Sequence, residues 1–300
     1  MKDAPKLNLT KSLQEFEYAK SLIPGGVLGI RRPYNFVPGE YPVYFEKGDK
    51  GYVYDIDGNK YIDYLCAYGP IILGYREKEV DEAVIEQIRE KGFCFSLSQT
   101  LQNRLAEKIN QLIPCAEMSI FVKTGSDATT LAIRLARAYT NRKKIIRCGY
   151  HGWHDWCVEV KGGIPEKLYE DIHEIHYNEI GELEELVKKY GDDIAALIVT
   201  PVGHPLAEEM QEPKDNFLEK VKEIMHKMVQ LLYLMKYAVD LEFLSVGLKN
   251  IMVLLLIWQF LEKLWLMVML LVVLLVKPIL LKKLKKMFLS LLLSSQTLIV

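Results

Sequence analysis

Near residue 227 the chain changes character, and the two parts so created cannot follow one folding rule. Residues 1–226 hold 18 of the 19 Gly, 11 of the 12 Pro, all 5 Cys, every Arg and 36 of the 39 acidic residues. Residues 227–300 carry 24 Leu and 9 Lys, with 3 acids, one Gly and one Pro. Globular folds need turn and cap residues to reverse direction, so a stretch this rich in Leu and this poor in Gly and Pro is not an ordinary domain. The net charge of −1 over 300 residues conceals −7 before the break and +6 after it. The expectation is a conventional globular part up to 226 and an aberrant Leu-rich tail, helical or disordered, over 227–300.

Met1 to Thr10 contains no apolar run of the signal-peptide kind, and the reading is of a cytoplasmic chain. Cys66, Cys94, Cys115, Cys148 and Cys157 lack a short repeated spacing and fit reduced thiols better than a disulfide framework. The near-zero charge balance carries no nucleic-acid footprint.

Residues 51–63 alternate around Asp57-Gly58, a dipeptide suited to a two-residue hairpin turn in which both central residues have φ > 0. Asp55, Asp57 and Asn59 invite a calcium-loop reading, but Gly comes too early and the distal Glu is missing. Apolar spacing predicts helices over 78–92 (Val80, Ala83, Val84, Ile88) and 100–113 (Leu101, Leu105, Ile109, Leu112). The stretch from Met118 to Gly125 reads as a strand, followed by a helix to Thr140 that Thr124 or Ser126 can cap, with an apolar stripe through Leu131, Leu135 and Ala138. A strand, Gly-Ser, then a helix presents backbone N–H groups and the positive end of a dipole where a phosphate can sit.

Lys144 to Cys148 is a further strand, and Gly149-Tyr-His-Gly-Trp-His-Asp155 crowds aromatics and histidines at its carboxyl end, where open α/β sheets bind ligands. Cys148, His151, His154 and Cys157 recur every three residues, yet that spacing cannot aim all four at one tetrahedral zinc, so no metal site is assigned. Residues 193–200 form another buried strand ending at Pro201, and 216–226 a capped helix with Phe217, Val221, Ile224 and Met225 inward. Strands alternating with helices imply an α/β fold with a mostly parallel sheet.

These residues resemble the class III aminotransferases of the pyridoxal-phosphate fold type I group, in particular glutamate-1-semialdehyde 2,1-aminomutase, over residues 1–226. The motifs stand in family order: Pro24-Gly-Gly-Val27 with Arg32 following, the Asp55 to Asp63 hairpin, Gly69-Pro-Ile-Ile-Leu-Gly74, Lys123-Thr-Gly-Ser-Asp-Ala128, and Tyr150-His-Gly-Trp-His-Asp155. The resemblance implies a fold type I aminotransferase-like architecture, truncated, with an N-terminal segment over 1–58, a partial pyridoxal-phosphate-binding domain over 59–226 and the tail beyond. It implies pyridoxal 5'-phosphate as cofactor, a small amino-acid-like substrate and a homodimer. Gly125 and Ser126 then look like the phosphate cradle, Tyr150 like the aromatic stacked on the pyridine ring, with His151 its neighbour. Arg32 is a candidate for a substrate carboxylate, since guanidinium offers a bidentate fork. Thr200-Pro201 stands where many relatives have Glu-Pro.

The chemistry also needs a Lys that binds the cofactor covalently and shuttles a proton, and an Asp that keeps the pyridine nitrogen protonated. In the family both lie in motifs beyond residue 226, and neither motif is present, so no residue here is assigned as catalytic. Back-translation accounts for the loss. Met and Trp have one codon each, and residues 257–268 read one base over can encode Met-Ala-Ile-Phe-Gly-Lys-Ala-Met-Ala-Asn-Gly, the family's lysine motif. At the same offset residues 233–244 can encode Phe-Asp-Glu-Val-x-x-Gly-Phe-Arg, the aspartate motif. The reading is a one-base deletion in an A-run at codons 227–228, with the family's lysine codon straddling Glu262 and Lys263, so Lys263 itself has no inherited role.

A second function class competes. Residues 251–276 are apolar except for Gln259, Glu262 and Lys263 and are followed by Lys277, Lys282, Lys283, Lys285 and Lys286, the length and flank of a membrane anchor. A charge pair at mid-span opposes insertion by roughly 2.5–3.5 kcal/mol per residue, which weighs against a membrane role. A membrane-anchored ligand-binding protein is the alternative to an inactive aminotransferase-like chain. A tail that cannot complete the sheet is expected to leave the core face of the first part exposed.

Overall fold

The computed structural model describes residues 7–28, 44–68, 71, 73–112, 118–203, 210–227, 231–236, 251–256 and 272–275. The chain divides between Phe93 and Cys94 into two compact units.

In the first unit helix α1 (Thr10–Ala19) precedes strands β1 (Phe45–Asp49), β2 (Tyr52–Asp55) and β3 (Lys60–Ile62), which form an antiparallel sheet, and helix α2 (Lys78–Lys91). The hairpin at Asp57-Gly58 exists, but its turn differs from the expectation. Gly58 alone has positive φ, at 92°, and four residues link β2 to β3. The reason is side-chain chemistry: buried Asp55 accepts the backbone N–H groups of Asp57 and Asn59 at 3.0 and 2.8 Å and the Tyr61 hydroxyl at 2.8 Å. These bonds favour a wider, Asx-stabilised loop over a two-residue one. Asp57 is thereby presented to the start of α1, where its carboxylate accepts the N–H groups of Lys11 and Ser12 at 2.7 and 2.8 Å. On α2, Val80, Val84 and Ile88 are half-buried and Ala83 is exposed. Gly92 ends that helix with φ 75°.

The second unit contains α3 (Thr100–Leu112), β4 (Ser119–Val122), α4 (Gly125–Thr140), β5 (Lys144–Cys148), β6 (Ile172–Glu174), α5 (Ile180–Tyr190), β7 (Ile194–Val199), α6 (Phe217–Lys227), β8 (Leu231–Lys236), β9 (Ile251–Leu256) and β10 (Val272–Leu275). They build a seven-stranded sheet in the order β4-β10-β9-β8-β7-β5-β6, in which β10 alone runs antiparallel to its two neighbours. The α/β expectation with a mostly parallel sheet holds.

Side-chain alternation along β5 and β7 sends Ile145, Ala196 and Ile198 to the face covered by α4, and Ile146, Cys148, Leu197 and Val199 to the face covered by α3, α5 and α6. On α6, Phe217, Val221 and Met225 are buried and Ile224 packs beside them. On α4 the expected stripe is rotated. Leu135 is buried, but Ala138 is exposed, and the inward face runs through Ala128, Thr129, Ala132, Ile133 and Ala136. Small side chains let the helix backbone approach the sheet, a preference that apolar periodicity alone does not reveal.

Three segments of the tail depart from the expectation. Where helix or disorder was anticipated from 227 onward, Leu231–Lys236, Ile251–Leu256 and Val272–Leu275 pair as strands and fill the sheet between β7 and β4. A central strand covered on both faces is a short continuous apolar run without alternation, and Leu-Leu-Tyr-Leu-Met-Lys, Ile-Met-Val-Leu-Leu-Leu and Val-Val-Leu-Leu meet that demand. The expectation of a tail that cannot complete the sheet is therefore not met beside β7, where β8 pairs in parallel. The apolar stretch 251–276 is strand at both ends, and Gln259, Glu262 and Lys263 lie outside the described residues. Among the described residues no helix is long and apolar enough to cross a membrane.

Candidate ligand-binding site

The site begins where β4 gives way to α4. Thr124 is extended, with φ −126° and ψ 161°, and its hydroxyl accepts the Asp127 N–H at 3.1 Å while the Asp127 carboxylate accepts the Thr124 N–H at 2.8 Å. This reciprocal capping box answers the question the sequence left open: Thr124 caps the helix. Ser126 is left in the first turn, 7% exposed, and the cap does not use the N–H groups of Gly125 and Ser126. Those two donors sit at the positive end of a 16-residue helix, the arrangement that attracts an anion.

The second element is the turn after β5. Gly149 and Gly152 have φ of 92° and 113°, which side chains disfavour. A Cβ on Gly152 would lie 2.4 Å from Ser126 Oγ and 3.0 Å from Ser126 Cβ, so the absence of a side chain lets the turn close on the helix. The Trp153 N–H then donates to Ser126 Oγ at 3.2 Å, and the Thr129 hydroxyl donates to the His151 carbonyl at 2.8 Å. Trp156 Nε1 donates to Thr130 Oγ1 at 2.8 Å, and that hydroxyl lies 2.8 Å from His154 Nδ1. A hydroxyl accepting from the indole can donate its own hydrogen to the imidazole, so the three groups satisfy one another. The motifs 123–128 and 150–155 are thus clasped together by side chains on the first turns of α4.

The structure places the other sequence candidates as follows. Tyr150 is half-buried, and burial, reinforced by Cys157 and Glu159, raises its hydroxyl pKa, so the ring is neutral. His151 is wholly buried, with Nε2 donating to the Cys148 carbonyl at 3.0 Å. Burial, with Arg147 adding to it, pushes its pKa down to about 3, so the imidazole is uncharged and braces the turn from beneath. Gly125, Ser126, Tyr150 and His151 therefore gather at one end of the sheet. Arg32 lies outside the described residues.

The zinc-like spacing does not converge. Cys157 Sγ is directed at the His151 and His154 carbonyls, His154 is committed to Thr130, and burial raises the Cys148 and Cys157 thiols to about 12 and about 11. Among the described residues no group of three or more His, Cys, Asp or Glu gathers to hold a metal. Sequence reading did not pick out Thr129, Thr130 or Gly152, although a Gly between two histidines in a loop was a usable sign of close backbone approach.

One further residue completes the geometry. Thr200 follows β7 and faces Gly149 across the paired ends of β5 and β7, 2% exposed, and its Oγ1 has no hydrogen-bond partner among the described residues. A Cβ on Gly149 would sit 3.1 Å from that oxygen. An N-terminal helix turn with a serine, a neutral aromatic and an orphaned buried hydroxyl fit a phosphorylated aromatic ligand: donors for the phosphate, an apolar face for a ring, and a polar atom for a ring substituent.

The sequence profile described as "Aminotransferase class-III" matches residues 36–234. The chain is 63% identical over 221 residues to the 3-aminobutyryl-CoA aminotransferase of Cloacimonas acidaminovorans, covering 74% of this chain and 53% of that protein. It is 39% identical to the glutamate-1-semialdehyde 2,1-aminomutase of Hyperthermus butylicus, covering 70% and 51%. Among solved structures, the FumI protein of Sphingopyxis sp. MTA144, in its PLP internal aldimine form, has 32% identity and a TM-score of 0.71 over 75% of this chain and 55% of that one. A glutamate-1-semialdehyde aminomutase from Pseudomonas aeruginosa, in complex with PMP, shares the fold at 16% identity with a TM-score of 0.77, covering 91% and 61%. The chain spans about half the length of the curated relatives it matches.

Proposed function

The chain belongs to the class III aminotransferases, a pyridoxal-phosphate-dependent family of fold type I, and on that premise we propose that it carries the phosphate and ring half of a cofactor site for amino transfer on a small amino-acid-like substrate. The observation that carries this reading is the clasp between Ser126 and the Gly152-Trp153 turn, which brings a helix N-terminus beside Tyr150 at the carboxyl end of the sheet. The N–H groups of Gly125 and Ser126 would hold the phosphate, the Tyr150 ring would lie against the pyridine, and His151 would fix the backbone under Tyr150. When bound, the cofactor supplies an electron sink for the bond being broken at the amino-bearing carbon. This chain's own residues orient the ring and keep water from one face of it. Arg32 is the proposed carboxylate contact.

The reading prefers transamination to an intramolecular amino shift, supported by the 63% identity to an aminotransferase acting, by its name, on a 3-aminoacyl thioester. By family the intact enzyme is read as a cytoplasmic homodimer. The chain as written is read as non-catalytic, because the family's Lys and Asp motifs appear only one base out of frame. Sequencing codons 224–230 from an independent sample tests this. One additional A restores both motifs and an intact aminotransferase, whereas an unchanged count leaves a chain that binds cofactor without holding it covalently. An absorbance band of lysine-bound cofactor in the chain as written would overturn the non-catalytic reading.

A further inference from the structure

Buried hydroxyls in folded proteins nearly always have a partner, and one that lacks it at a ligand-binding strand end needs explaining. Thr200 is such a case. Its Oγ1 is 2% exposed at the residue level, lies at the carboxyl end of β7, and has no partner among the described residues. The neighbouring strand contributes Gly149 at that level, with φ 92°, and the nearest heavy atom to a Cβ built on it is Thr200 Oγ1 at 3.1 Å. The buried hydroxyl therefore faces the position where Gly149 lacks a side chain, at the start of the turn that carries Tyr150. The residue is uncharged, so it can donate to an anionic or phenolic oxygen without like-charge repulsion.

We propose that Thr200 is a ligand-positioning residue whose hydroxyl donates to an oxygen substituent on the cofactor ring lying against Tyr150, and that the hydroxyl is satisfied only in the loaded site. This rests on the cofactor-site reading above. Two effects of opposite sign follow. In the unliganded chain the orphaned hydroxyl is a burden, so Thr200→Val should leave thermal stability unchanged or raise it. In the loaded chain the same substitution should weaken binding.

The test uses the full chain and pyridoxamine 5'-phosphate, which needs no lysine to bind, followed by equilibrium dialysis. Thr200→Val is expected to raise Kd about 3- to 10-fold, the worth of one hydrogen bond, while Thr200→Ser retains affinity within about 2-fold. Ser126→Ala, which keeps the backbone N–H groups but removes the hydroxyl that clasps the Trp153 turn to the helix start, serves as the independent probe of the phosphate end of the site. If Ser126→Ala weakens binding and Thr200→Val does not, the Thr200 inference falls and the cofactor reading stands. If the parent chain does not bind pyridoxamine 5'-phosphate at all, both fall. A lower melting temperature for Thr200→Val without ligand would mean that the hydroxyl is satisfied within the protein, and would also overturn the proposal.

Discussion

Gly152 and Ser126 approach so closely that a single added methyl would lie 2.4 Å from the serine hydroxyl, although the two residues belong to different elements. The contact explains why a turn after β5 and the first turn of α4 behave as one surface. It also makes that surface intolerant of change at the glycine.

Gly152→Ala is expected to destabilise the chain by about 2 kcal/mol or more, since it combines a φ of 113° with a clash that the helix backbone cannot relieve. The same variant should lose affinity for pyridoxamine 5'-phosphate. Urea denaturation and dialysis check the two effects, and an alanine variant with native stability would show that the contact is not a constraint.

Thr130→Val removes the hydroxyl shared by Trp156 Nε1 and His154 Nδ1 and leaves the buried indole N–H unpaired. Loss of a partner from a buried donor costs about 1–3 kcal/mol. Denaturation of this variant alongside Thr130→Ser, which keeps the hydroxyl, separates the hydrogen bonds from packing.

His151 makes the chain acid-sensitive. Its folded pKa is depressed to about 3, by burial first and Arg147 second, against an ordinary 6.5. The unfolded chain therefore binds a proton that the folded chain refuses between those values. The stability that His151 contributes is present above pH 6.5 and is lost as pH falls toward 3, with a limiting slope of about 1.4 kcal/mol per pH unit. His151→Gln should flatten the decline. A parent chain equally stable at pH 7 and pH 5 would contradict the burial of a neutral imidazole.

Asp57 titrates in the opposite sense to a raised group. Desolvation pushes its carboxyl upward, but the N–H groups of Lys11 and Ser12 outweigh it and hold the pKa below the ordinary 3.8. The cap on α1 is complete above pH 3.8 and lost as pH falls through the lower folded value. Amide exchange at Lys11 and Ser12 should accelerate in that acid range, and Asp57→Ala should show the faster exchange already at neutral pH.

Part of this was legible in the chain itself. The strand over Lys144–Cys148 and the helices ending at Lys91 and Thr140 follow from periodicity and turn chemistry. The family motifs named Ser126 and Tyr150 because short-range order in those segments is set by neighbours within a few residues. The expectations that fail depend on packing: a two-residue turn at Asp57-Gly58, an inward Ala138, and helix or disorder at Leu231–Lys236, Ile251–Leu256 and Val272–Leu275. A Leu-rich run carries no period to distinguish a buried strand from a helix, so only its pairing partners decide between them.

Local residue types thus determined the α/β character, the capped helix start and the candidate ligand groups, because φ preferences, caps and apolar spacing act over one or two turns of chain. The tertiary structure alone decided that Gly152 must be bare for Trp153 to reach Ser126, and that Thr200 Oγ1 is buried without a hydrogen-bond partner among the described residues. Each of these is a relation between residues distant in sequence, and whether a hydroxyl is satisfied or a methyl is tolerated depends on what the sheet brings to within 3 or 4 Å of it, as van der Waals and hydrogen-bond ranges are that short.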